Sequence, residues 1–307
     1  MNEAAVLLGQ SRSLVGIITA PEKLADARQR PAVLLLNAGL VHRVGPHSLY
    51  VYLARRLAAK GYLVVRFDFS GLGDSPACQD KVPYAETRVL ETREVMDSIA
   101  KQKGIERFCL MGLSSGAVAS FQTSLQDSRV VGTVLLNPHG FDQSGEWSNH
   151  VDKLSTMRIY MTNLFRLESW FKIVSGKTDY RRLQQAVWYR LKRSFTRSSQ
   201  VTHVARRLVD DLKDFLNSNV RTLLVFSVKD RSIENFDSIL GQGWQKGLDS
   251  TVTLVDIPEA NHTFAGPFHQ EQVLDVVEHW MNRFWPAVPE TENSADTREK
   301  TEDRVSV

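Results

Sequence analysis

Cysteine is scarce in this chain. Only Cys78 and Cys109 occur in 307 residues, and neither has a neighbour at metal-ligand or redox-pair spacing. A disulfide scaffold is therefore not expected, and reduced thiols in the cytoplasm are. Long apolar runs are missing too. Nothing approaches the ~20 residues of a membrane-spanning helix, and the longest early apolar segment, Ala32 to Leu40, is broken by Asn37 and Gly39. The first ten residues carry Glu3 and no basic stretch followed by an apolar core, so no signal peptide is expected. Net charge is small, at +3. The composition is otherwise that of a globular chain able to bury a sizeable core.

What is present is a rhythm. Short apolar runs recur at Ser13–Ala20, Ala32–Leu36, Tyr62–Phe67, Arg107–Met111, Val130–Leu136, Arg221–Ser227 and Thr251–Ile257. Several are continuous rather than alternating, as when both faces of a parallel sheet are covered. Helical spacing fills Ser48–Ala59, Glu86–Lys101, Ala117–Leu125 and Gln270–Phe284, while polar Glu22–Arg30 reads as a turn or loop. Strand and helix in alternation predict an α/β architecture, a mostly parallel central sheet covered by helices on both faces. The rhythm breaks after Leu136. The expected organisation is a first core part over 1–136, a helical cap insertion over 137–219, a second core part over 220–286, and a polar, disordered tail over 287–307.

The insertion is basic. From Val151 to Arg207 it holds thirteen Lys and Arg residues against Asp152, Glu168 and Asp179, so the remainder of the chain is net acidic. Phe165, Trp170, Phe171, Trp188 and Phe195 are interleaved. Such a cap suits an acyl chain delivered by an acidic carrier protein, or an anionic surface. It also reads as a solvated basic face over a core-packing aromatic stripe. Nucleic acid is not expected as a partner.

One segment carries chemistry. Gly112-Leu-Ser-Ser-Gly116 fits G-x-S-x-G, follows an expected strand and opens an expected helix. This is the strand–turn–helix setting of a nucleophile elbow, with Ser114 at the apex. A serine hydroxyl needs a base, and the base needs an orienting carboxylate. His262, after the last strand and before the last helix, is the expected base, with His269 its nearest rival. Asp230, three residues past Ser227, is the expected acid; Glu234 and Asp237 lie nearby, and the position one strand earlier holds Asn137, which cannot balance an imidazolium. The N–H of Ser115 is an expected oxyanion donor. A second comes from the loop after Ala32–Leu36, at Leu40 or Gly39. Gly39, His139, Trp170 and Trp188 are expected to line the substrate site. No metal or cofactor is required.

These segments together resemble a known family. Asn37-Ala-Gly-Leu40, Arg66-Phe-Asp-Phe-Ser-Gly-Leu-Gly-Asp-Ser75, Gly112–Gly116, Asp230 and Asn261-His-Thr-Phe264 are similar to the bacterial α/β-hydrolase superfamily, in its serine-aminopeptidase-like and exosortase-associated group. The resemblance covers Ser13 to Trp285 and is looser over the insertion. It implies the α/β-hydrolase fold, a Ser114–Asp230–His262 triad, and structural roles for Asp68 and Asp74. Asn261 departs from the acidic residue common before the histidine. The implied activity is cleavage of a small-molecule or carrier-bound ester or thioester. An acyltransferase with a non-water acceptor, an aminopeptidase and a non-catalytic binding protein with a vestigial triad are alternatives, because this superfold hosts many reactions. The aminopeptidase ranks lower, since no acidic cluster for a free amino terminus is evident.

Overall fold

The computed structural model describes residues 1–78, 82–139, 208–228, 230 and 232–287. Most of the expected insertion, with Trp170 and Trp188, and nearly all of the expected disordered tail lie outside the described residues. Eight strands form one sheet: β1 (Asn2–Leu8), β2 (Leu14–Ala20), β3 (Ala32–Leu36), β4 (Val64–Phe67), β5 (Phe108–Leu113), β6 (Val130–Leu136), β7 (Arg221–Ser227) and β8 (Val252–Ile257). Their spatial order is β1-β2-β4-β3-β5-β6-β7-β8. From β4 to β8 every pairing is parallel; β2 joins β4, and β1 joins β2, antiparallel.

The continuous apolar runs have the expected cause. β3, β4 and β5 are buried at every position, because successive side chains enter cores on opposite faces. Val33, Leu35, Val64, Met111 and Val134 pack beneath α2 (Leu49–Ala59) and α7 (Pro267–Phe284). Leu34, Val65 and Leu110 face the other way, towards α1 (Leu24–Arg28) and α3 (Tyr84–Lys103). On that same face Leu135, Leu224 and Phe226 meet α4 (Ser115–Ser124), α5 (208–216) and α6 (Ser232–Leu240). The α5 residues Leu212 and Phe215 are buried there, Phe215 edge-on to Phe121 at 5.0 Å. The last stretch of the segment between β6 and β7 thus belongs to the layer covering the sheet.

Two elements differ from the sequence reading. Glu22–Arg30 contains the short helix α1, which buries Ala27 completely. Residues 2–8 form a strand, although its first four side chains are exposed. This edge strand is held by its ladder to β2 and by Glu3, which accepts from Arg55 at 2.9 Å, Arg66 at 3.1 Å and Thr19 at 3.2 Å. Polar and charged side chains on an edge also discourage pairing with other chains.

Parallel strands all end on one side. The segments after β3, β5, β6, β7 and β8 therefore gather along one rim of the sheet, where open α/β sheets place their ligands. Ser114, Asn137, Asp230 and His262 all follow strand ends on that rim.

Candidate active site

Ser114 is the single residue between β5 and α4. Its backbone adopts φ 56° and ψ −115°, a combination costly for a residue with a side chain and found mainly where the surroundings enforce it. Close packing enforces it here. A Cβ at Gly112 would come within 2.1 Å of the Gly116 carbonyl carbon, and one at Gly116 within 2.4 Å of the Leu36 oxygen. Only glycine lets the turn close this tightly. Beneath it, the buried Tyr50 hydroxyl donates to the Leu36 carbonyl at 2.9 Å and accepts the Leu113 N–H at 2.9 Å. This staples the ends of β3 and β5 together at the turn. Burial pushes the Tyr50 phenol well up, so it stays protonated as the staple requires.

The structure brings Asp230 and His262 together. His262 Nδ1 lies 2.7 Å from Asp230 Oδ2, and the Ser232 hydroxyl donates to the same carboxylate oxygen. The His262 side chain is 36% exposed and that of Asp230 14%, so the imidazole faces the rim while the carboxylate is sheltered. Glu234 is exposed on α6, and His269 Nδ1 faces the Ala265 carbonyl at 3.3 Å.

The turn carrying His262 is braced from several directions. Asn261 accepts the Ala265 N–H at 2.8 Å through Oδ1 and the Phe264 N–H at 3.0 Å through its carbonyl. The asparagine thus supplies the acceptor that this turn uses. Asn137 donates to the His262 carbonyl and to Ser227 Oγ, both at 2.9 Å, and accepts the Ser227 N–H at 2.7 Å. The exposed His139 ring stands edge-on to His262, centroids 6.0 Å apart.

The loop after β3 also lies on the rim. Gly39 has φ +57°, and a Cβ there would meet nothing within 4 Å. Glycine is used here for its conformation rather than for close approach. Its N–H donates to Ser115 Oγ at 2.8 Å and so is not a spare donor. Of the two expected donors on this loop, Leu40 is left: among the described residues neither its N–H nor that of Ser115 donates to a protein acceptor. Asn37 and Asp68 hold the loop from below. Asn37 donates to the Val41 carbonyl at 2.9 Å and to Asp68 Oδ1 at 3.1 Å, and accepts the Phe69 N–H at 3.0 Å. Asp68 is fully buried and takes the Arg43 N–H at 2.6 Å and the Arg43 guanidinium; Asp74 pairs with the same guanidinium at 2.6 Å.

Arg88, Tyr50 and the bracing role of Asn137 had no sequence motif to mark them. Arg88, 3% exposed on α3, donates to the Gly39 carbonyl at 3.3 Å and lies 5.1 Å over the Phe69 ring. One turn on, burial pushes the Glu91 carboxyl up, partly offset by the Ser70 N–H it accepts at 3.0 Å and by the charge of Arg88. Among the described residues no group of His, Cys, Asp and Glu is placed to hold a metal ion. No helix among them is long and apolar enough to cross a membrane.

A mostly parallel, doubly covered sheet with a strained serine turn after its central strand defines an α/β hydrolase. The family described as serine aminopeptidase, S33, matches residues 37–266, and the chain belongs to it; it is an enzyme of the serine-hydrolase kind. Solved structures share the fold at low identity. A serine hydrolase without lid from Xanthomonas campestris is 16% identical, with TM-score 0.54, 94% of this chain covered and 98% of the other. A proline iminopeptidase-related protein from Thermus thermophilus is 18% identical, with TM-score 0.54, 94% of this chain covered and all of the other. An esterase from Pyrococcus furiosus is 13% identical, with TM-score 0.53, 92% of this chain covered and 90% of the other. No curated protein sequence matches the chain.

Proposed function

We propose that the enzyme cleaves an ester or thioester through an acyl-enzyme on Ser114, with His262 as base and Asp230 as orienting acid. The observation that carries this reading is the 2.7 Å contact between His262 Nδ1 and Asp230 Oδ2 on the rim that also carries the strained, half-buried Ser114. Ser114 Oγ attacks the substrate carbonyl carbon while His262 Nε2 takes the hydroxyl proton. Asp230 keeps the other proton on Nδ1 and stabilises the imidazolium that forms. The carbonyl oxygen becomes an oxyanion, bound by the N–H groups of Ser115 and Leu40. The C–O or C–S bond then breaks and His262 delivers its proton to the leaving alcohol or thiol. Water, deprotonated by His262, attacks the acyl-enzyme and regenerates Ser114. An acceptor alcohol or amine in place of water would make the same residues an acyltransferase. Gly39 and His139 flank the acyl site. The substrate is a small-molecule or carrier-bound acyl compound, and the basic segment before β7 fits an acidic carrier by charge.

The test is a fluorophosphonate probe, which phosphonylates only an activated serine, with the adduct mapped by mass spectrometry. Wild-type protein is expected to label at Ser114, and folded Ser114→Ala not at all. Turnover of p-nitrophenyl esters should fall by at least about a thousandfold in that variant. Folded wild-type protein that resists the probe would remove the acyl-enzyme reading and leave a binding protein on a hydrolase fold.

A further inference from the structure

Gly39 is gripped at both of its polar backbone atoms by side chains from two different helices. Ser115, at the start of α4 and 2% exposed, accepts the Gly39 N–H on its hydroxyl at 2.8 Å. Arg88, from α3, donates to the Gly39 carbonyl. A guanidinium taken this far out of water is costly and needs acceptors and π surface around it; the Phe69 ring and the Gly39 carbonyl provide both. They hold two successive peptide groups, Ser115 the Ala38–Gly39 amide and Arg88 the Gly39–Leu40 carbonyl, on either side of the Gly39 Cα.

The peptide plane makes this consequential. No cis peptide bonds are present, and in a trans peptide the carbonyl of Gly39 and the N–H of Leu40 point in opposite directions across one rigid plane. Fixing the carbonyl on Arg88 therefore fixes the Leu40 N–H on the side away from Arg88. The alternative orientation is a rotation of that plane, which would present a carbonyl oxygen in place of a donor and repel an oxyanion. Gly39 is the residue least able to resist such a rotation by itself, since it has no side chain and open space where a Cβ would be.

We propose that Arg88, by holding the Gly39 carbonyl, and Ser115, by anchoring the preceding Ala38–Gly39 peptide, are positioning residues that keep the Gly39–Leu40 peptide in the orientation that offers the Leu40 N–H to the oxyanion. This rests on the acyl-enzyme reading of Ser114. The lock acts on the transition state only, because the ground-state ester gains little from the donor. It should therefore act on kcat and leave KM nearly unchanged.

The experiment compares wild type, Arg88→Met, Arg88→Lys and Ser115→Ala by kcat and KM on p-nitrophenyl butyrate, by the rate of fluorophosphonate labelling at Ser114, and by thermal melting. Arg88→Met is expected to lower kcat and the labelling rate by about 10- to 100-fold, short of the loss on deleting a donor outright, with KM within about twofold. Arg88→Lys should regain part of kcat, because an ammonium can donate to the same carbonyl. Ser115→Ala, which keeps its own N–H, should lower kcat by a smaller factor. If Arg88→Met does not fold, Arg88→Lys and Ser115→Ala decide the matter. Folded variants with wild-type kcat, or losses that appear as raised KM, would overturn the lock while leaving labelled Ser114 intact. Wild-type protein that does not label at Ser114 would overturn the acyl-enzyme reading and the lock with it.

Discussion

Two asparagines, Asn37 and Asn137, occupy matching places on either side of the elbow. Each stands one residue beyond a parallel strand, each is fully buried, and each makes three hydrogen bonds that tie a neighbouring strand's loop to its own. Their partners differ in kind. Asn37 leads into a charged cluster, Asp68 with Arg43 and Asp74, beneath the loop that carries Leu40. Asn137 meets only neutral groups, the Ser227 hydroxyl and N–H and the His262 carbonyl. Removing one partner from a buried ion pair strands the other charge, whereas removing a neutral partner strands a dipole. The rim is thus braced by ions on the Leu40 side and by amide dipoles on the His262 side. The two sides should fail differently.

The largest effect is expected from Asp68→Ala, which leaves the Arg43 guanidinium and two backbone N–H groups without their buried acceptor. It should cost about 3–5 kcal/mol, read as a lower denaturant midpoint. Asn137→Ala comes next, at about 2–3 kcal/mol, because a buried N–H and carbonyl lose their partners. It should also lower kcat/KM by about tenfold or more as His262 shifts. Since neither amide nor hydroxyl titrates, its stability loss should be equal at pH 7 and pH 5; a strong pH dependence would break the contrast with the charged side. Asp127→Asn gives the opposite signature. Hydrogen bonds from Arg129 hold the Asp127 carboxyl below the usual range despite its burial. A carboxyl with a lower folded pKa stabilises the fold above its unfolded pKa and loses that contribution as pH falls through the folded value. The gap between wild type and Asp127→Asn should therefore be full at neutral pH and close only as pH falls below about 4. The smallest effect is expected at the sheet edge, where Arg55→Gln removes a half-exposed ion pair with Glu3 and should leave the denaturant midpoint nearly unchanged.

The parallel strands were legible because each is a continuous apolar run, and the elbow because its glycines and serine sit between such a run and a helix. β1 was not, since an edge strand with exposed Asn2, Glu3, Ala4 and Ala5 leaves no apolar pattern. The inner face of α3 was only partly readable. Helical spacing marks the element but not its face: Leu90 is 48% exposed and the Arg93 side chain 43%, while Arg88, Val89, Thr92, Val95, Met96 and Ile99 are buried. A charged residue in register with an apolar stripe was the available signal for Arg88. It is easily passed over, because most charged residues on helices are solvated. Asn137 could be read as a strand-end residue that cannot act as an acid. Its three partners come from segments 90 to 125 residues away, which no local pattern encodes.

The elbow glycines bear on how such a chain could change over generations. At Gly112 and Gly116 any larger residue collides with backbone, so these positions are held by the demand to fold, whatever happens to the chemistry. Ser114 has no such protection. A lineage that abandoned turnover would be expected to retain both glycines as a fossil of the turn while the residue between them drifted. On the proposed mechanism, a comparison across descendants should therefore read the apex, and not the glycines, as the elbow position that follows turnover.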